Sequence, residues 1–182
     1  MKEQNESMTT GDKKREFMHR EVCALCFLAS FGMARRIPFY KKDANREAIR
    51  KYIRDELWEL SIKYSRKVEE NEHIKTIETF QNEVNKKFLG ALARNGLTFG
   101  RAQKLINLYL KYMWVCGFIK EPPQCPIDSI IIKELKKLGR EVRGLRFTNM
   151  GKDDYKRVLS EIKKIKGEQS IAEWELQVFN RR

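Results

Sequence analysis

The sequence has no apolar run long enough to cross a bilayer. Its longest, Val22 to Ala34 (VCALCFLASFGMA), falls short of the roughly 20 residues that a spanning helix needs. The segment before it holds Glu3, Glu6, Asp12, Glu16 and Glu21, an acidic load that a secretory leader avoids. The run therefore reads as a buried first helix, and the chain as cytoplasmic and nucleoid-associated. The stretch Phe179-Asn180-Arg181-Arg182 holds no prenylation cysteine, and an anionic membrane is expected to be the weaker of two polyanionic partners. Cysteine is scarce too: four residues, expected as thiols in a reducing compartment. Cys23 and Cys26 form a C-x-x-C without loop-forming Gly or Pro between them, and Cys116 and Cys125 are spaced too widely for a knuckle. Core packing is the expected role, and neither metal nor other cofactor is expected. No run of alternating residues argues for a sheet, and no repeat is visible.

What is abundant is positive charge. The 182 residues carry a formal net charge of +13, which favours a nucleic-acid partner and says nothing about fold. With 41% hydrophobic content the chain can bury one core in one domain. The first fifteen residues are polar and charged and read as a disordered tail, leaving 16–182 as a single all-α domain.

The helices follow from periodicity and caps. The spacing predicts helices over Phe17 to Met33 and over Ala44 to Ser65, the latter capped by Asp43 or Asn45. Ile74, Ile77, Phe80, Val84, Phe88 and Leu92 form one apolar stripe, expected to stop at Asn95-Gly96. A short turn, Leu97-Thr98-Phe99, would then make an antiparallel hairpin with the helix from Gly100 to about Gly117. Pro122, Pro123 and Pro126 break the chain before a helix from about Ile127 to Leu138. After a basic connector from Arg140 to Met150, a helix is expected over Asp153 to Lys166. Ser170 and Glu173 have the capping-box spacing that opens a last one.

The helix GRAQKLINLYLKYMW, from Gly100 to Trp114, is apolar nearly all round. Its polar residues Gln103, Lys104, Asn107 and Lys111 fall within an arc of roughly 100°. Such a stripe is either a solvent face or the lining of a cleft inside the protein. The breadth of the apolar surface favours the cleft, because the helix must be packed on several sides. Asp128, behind Pro126-Ile127, sits where a helix begins, and both capping and a chemical role remain open for it.

The order helix, short turn, lysine-bearing helix, then Pro-Ile-Asp resembles the helix-hairpin-helix DNA glycosylases. Gln103-Lys104, a second lysine at 111, and Pro126-Ile127-Asp128 are most similar to the archaeal 8-oxoguanine DNA glycosylases. The resemblance runs from about Thr79 to Lys133, with weaker support near Trp174. It implies that Lys104 is the nucleophile, Lys111 a supporting cation and Asp128 a catalytic carboxylate. It further implies a supporting pocket with Gln103 and Asn107, and a base-contacting Trp174, for which core packing is the other reading. Contacts to DNA are expected from Arg94, Gly96, Gly100 and Arg101 around the hairpin, and from Lys133, Lys136, Lys137, Arg140, Arg143 and Arg146 beyond it. The partner would be double-stranded DNA carrying a damaged base, bound by a monomer. The hairpin glycines are spaced Gly96-x-x-x-Gly100, whereas the family separates them by one residue, and Leu108 stands where the family places a stacking aromatic.

The residue types suit that chemistry on their own. An amine attacking the anomeric carbon expels the base and leaves a Schiff base on the sugar. A free lysine has a pKa of about 10.4 and must be shifted by about three units to act near neutrality. Burial and the charge of Lys111 both push that way. The expected function is thus a bifunctional DNA glycosylase and abasic-site lyase excising an oxidised purine. The alternative is a non-catalytic helical nucleic-acid binder. Arg66 and His73 have the R-x6-H spacing of HEPN-type ribonucleases, but their acidic stretch reads as a surface linker.

Overall fold

The computed structural model describes residues 9–32, 39–93, 96–142 and 144–181. Among them the chain forms seven α-helices and no sheet; an isolated antiparallel bridge pairs Tyr40 with Leu92. Helix α1 (Thr10–Phe27) runs on into a π-helical turn (Leu28–Gly32). Then come α2 (Arg46–Lys63), α3 (Glu70–Phe88), α4 (Phe99–Val115), α5 (Ser129–Lys137), a 3-10 turn (Phe147–Asn149), α6 (Lys152–Lys163) and α7 (Ile171–Asn180). No helix of the described residues is long and apolar enough to cross a membrane.

Helix α4 is the axis of the molecule. Thirteen of its 17 residues are buried, and it packs against α1, α2, α3, α6, the π-helical turn and the 3-10 turn. Thr98 caps its start by accepting from the Arg101 amide. The same device opens α2, where Asn45 accepts from Ala48, and α7, where Ser170 and Glu173 form the expected reciprocal box.

Four sequence expectations need correction. The polar start is helical from Thr10, because Thr9 accepts from the Asp12 amide while Asp12 accepts from the Thr9 amide; two otherwise orphaned donors are thereby satisfied, and polar composition does not prevent a capped helix. Residues 1–8 of the expected tail, and Met33, lie outside the described residues. Helix α3 ends at Phe88 and not at Asn95-Gly96. Leu92 belongs to the bridge, where the Lys41 amide donates to Ala91 and the Ala93 amide to Phe39, so the short turn expected before α4 becomes a longer loop. Gly96, with φ of 68°, serves that loop. Lastly, the stretch around His73 is no surface linker: α3 begins at Glu70, and His73 is fully buried.

Candidate functional site

The polar stripe of α4 lies inside the protein. Gln103 and Asn107 are completely buried, and Lys104 and Lys111 are each 7% exposed, so a solvent face is excluded. Each residue meets a different set of partners.

Gln103 clamps the segment that carries Asp128. Its amide nitrogen donates to the carbonyls of Gly100 (3.0 Å) and Ile127 (2.6 Å), and its oxygen accepts from the Ile127 amide at 3.1 Å. Asn107 donates to Gln103 (3.2 Å) and to the Tyr155 hydroxyl (2.8 Å), which in turn donates to Gln124 at 2.9 Å. With its nitrogen so engaged, the Asn107 oxygen accepts from His73 Nε2 at 2.7 Å. That fixes the tautomer, leaving His73 Nδ1 to accept from the Tyr64 hydroxyl. Burial holds His73 neutral, with a pKa lowered to about 4 against the opposing effect of the hydrogen bond it donates to Asn107. A chain of hydrogen-bonded polar groups therefore runs from the end of α2 to the start of α5, with the Gln124 amide nitrogen left without a partner. Leaving any one unpaired would cost about 1–3 kcal/mol, which makes the placement of Ile127 and Asp128 rigid.

Asp128 divides its two oxygens between two tasks. Oδ1 caps α5, accepting from the amides of Ile130 (2.8 Å) and Ile131 (3.3 Å). Oδ2 lies 3.8 Å from Lys104 Nζ. The Lys104 amine also donates to the carbonyl of Ala29 in the π-helical turn at 3.0 Å, and it stands 4.6 Å from the centre of the Phe147 ring. Burial lowers the Lys104 pKa, and Asp128 opposes the shift. Ala29, Asp128 and Phe147 are each partly exposed, so the amine sits just below the surface.

Lys111 lies in a separate arrangement one face-length along the helix. Its amine meets both carboxylate oxygens of Glu175, at 2.9 and 2.8 Å, and lies 4.2 Å from the Phe179 ring centre. Its charge is thus neutralised by a buried carboxylate; of the two causes that the sequence suggested for the shift at Lys104, burial acts there. Trp174 is 6% exposed and belongs to the hydrophobic core, which favours packing over an open stacking face.

The hairpin residues assigned to DNA are placed differently from expectation. Gly100 gives its amide to the Met150 carbonyl at 3.0 Å, and a Cβ there would stand 1.7 Å from the Phe147 carbonyl oxygen. It is the close approach that seats the 3-10 turn, and with it Phe147, beside Lys104. Arg101 is 5% exposed, its guanidinium 5.9 Å from the Phe39 ring centre, so it is a buried packing residue and no phosphate arm. Gly96 is partly buried, beside Leu97, whose amide and carbonyl are both held by Asn85. Arg94 and Arg143 lie outside the described residues. Exposed cations persist on and after α5: Lys133, Lys136, Lys137 and Arg146 are exposed, and Lys136, Arg140 and Arg157 share a cleft of about 770 Å³.

Sequence reasoning missed Glu175, Phe147, Phe179 and the Ala29 carbonyl. Phe147 and Phe179 supply aromatic rings near the two lysines where Leu108 could not. Cys23, Cys26 and Cys125 are buried and Cys116 is exposed; burial raises the Cys23 thiol to about 12. Among the described residues, no group of three or more His, Cys, Asp or Glu converges as a metal site would. Arg66 is exposed and ion-paired with Glu72 at 3.6 Å, while His73 is enclosed in the polar chain, which separates the two residues of the ribonuclease spacing. Compared with protein families, curated proteins and solved structures, the chain matches none.

Proposed function

We propose that the chain is a DNA glycosylase with abasic-site lyase activity, excising an oxidised purine such as 8-oxoguanine, with Lys104 as the nucleophile. The observation that carries this reading is the Lys104 amine: nearly buried, biased by burial toward its neutral form, and 3.8 Å from a carboxylate fixed at a helix start. A neutral amine is a nucleophile, whereas an ammonium is not.

In the proposed reaction the neutral Lys104 nitrogen forms a bond to C1′ of the damaged nucleotide as the C1′–N9 bond breaks. The electron pair leaves with the base, which takes up a proton. The Asp128 oxygen that faces Lys104 stabilises the positive charge developing on the sugar. Loss of the amine proton and opening of the sugar give the Schiff base. Removal of a C2′ proton then expels the 3′ phosphate and nicks the strand. Before any of this the nucleotide must leave the base stack, at a cost of a few kcal/mol. Lys111, held by Glu175, serves as fixed structure next to the site.

The test is a panel of duplex oligonucleotides, each with one damaged base, scored for strand nicking. Nicking at 8-oxoguanine is expected, and Asp128→Asn should slow it by orders of magnitude, each tenfold loss corresponding to about 1.4 kcal/mol of barrier. Tight binding of every duplex with no nicking would establish the non-catalytic binder instead.

A further inference from the structure

On the far side of the π-helical turn from Lys104 lies a cavity of about 530 Å³, a volume within the usual range of small-molecule sites. The turn is a shared wall. Its Ala29 carbonyl takes the Lys104 amine, whereas its Leu28, Phe31 and Gly32 line the cavity. Two kinds of surface face each other there. One is aromatic: Phe31 and Phe39 stack at 4.0 Å with their planes 5° apart, and Tyr40 meets Phe39 edge-on at 4.8 Å. The other is cationic: Arg46, Arg50 and Arg54 follow one another at four-residue steps along α2.

Two of these three arginines, Arg46 and Arg50, form no ion pair among the described residues. Glu47, the acidic residue at the cavity, pairs with Arg54 at 2.7 Å, and Arg20 on the opposite side pairs with Glu16. Among the described residues Arg46 and Arg50 have no carboxylate within 4.0 Å; instead their guanidiniums lie 5.7 and 6.0 Å from the centre of the Tyr40 ring. Like charges at four-residue spacing on a helix repel, and an anion bound between them removes that repulsion. The guanidinium fork suits phosphate bidentately and also stacks on flat rings. A planar apolar group with an attached phosphate matches both surfaces at once.

We propose that this cavity is a nucleotide-binding site separate from Lys104, taking one nucleobase against the aromatic wall and its phosphate on Arg46 and Arg50. The proposal rests on DNA being the partner, as above, and it names the ligand as an intact nucleotide of the strand and not the one that is attacked. Binding there would brace the π-helical turn whose carbonyl holds the Lys104 amine.

Two experiments on the full chain test it. The first measures binding of deoxyadenosine monophosphate and of a short undamaged single strand to the unmodified protein, to Arg46→Ala/Arg50→Ala, and to the charge-matched control Lys67→Ala/Lys156→Ala. Both arginine changes are at exposed positions, and circular dichroism checks the fold. The arginine variant should bind each ligand about tenfold more weakly than the control, and its single-strand salt slope should fall by about 0.7, the value for one phosphate. Equal binding by the two variants would overturn the proposal. So would equal competition by inorganic phosphate, which has no base to stack, or loss of anionic-vesicle binding with nucleotide binding unchanged. The second experiment irradiates the unmodified protein with a single strand containing 5-iodouridine and maps the adduct. Attachment at Tyr40, the partly exposed ring of the wall, is expected, and adducts confined to other peptides would overturn the site. Borohydride trapping at Lys104 is read separately. Its absence with nucleotide binding intact would defeat the glycosylase reading alone, and its presence with no effect of the arginine changes would defeat this proposal alone.

Discussion

Replacing His73 by Gln should flatten the acid side of the stability curve. In the fold, His73 is buried between the Tyr64 hydroxyl and Asn107 and has a pKa of about 4, whereas its ordinary value is 6.5. Below 6.5 the unfolded chain binds a proton that the folded chain refuses, so stability falls as pH drops from about 6.5 toward 4 and is fully present above that window. The difference between the two values corresponds to about 3 kcal/mol. Glutamine cannot titrate, yet its amide can still donate to Asn107. His19 is also lowered by burial and contributes a slope in the same direction, which both proteins share. Urea unfolding across pH 7 to 4 should therefore show the difference between unmodified protein and His73→Gln shrinking by about that amount. Parallel curves over the whole range would refute a neutral, buried His73.

Gly100→Ala should destabilise the fold by about 3 kcal/mol, since the new Cβ meets the Phe147 backbone and not a yielding side chain; thermal unfolding measures it, and an unchanged midpoint would contradict the close approach. Glu175→Ala should cost about 3–5 kcal/mol by stranding Lys111, and Lys111→Met together with Glu175→Leu should recover most of it. Chemical denaturation separates the two, and equal loss in both variants would point to packing and not to charge.

Local pattern made some of this legible and long-range contact hid the rest. The caps at Asn45, Asp128 and Ser170 are readable because cap and partner amide lie two or three residues apart. The breadth of apolar surface on α4 signalled its central position and favoured an interior place for the polar stripe, with a solvent face left open. The partners of that stripe could not be read. Glu175 reaches Lys111 from 64 residues away and Ala29 reaches Lys104 from 75, and no periodicity links them. The Leu92 position fitted the stripe of α3 by spacing alone, yet a backbone bridge to Tyr40 drew it out of the helix. The hairpin glycines were read from the pattern of other DNA-binding hairpins. Only the packing reveals that Gly100 faces the Phe147 backbone.

The most direct test of Lys104 as a nucleophile is reductive trapping. Borohydride added during incubation with duplex DNA containing 8-oxoguanine should reduce the Schiff base and leave protein covalently joined to DNA, with the adduct mapping to Lys104. Lys104→Gln should abolish the adduct while retaining most binding to undamaged duplex, since it removes one charge among 38 Lys and Arg residues. Undiminished trapping by Lys104→Gln, or no trapping by the unmodified protein on this or abasic DNA, would contradict the account.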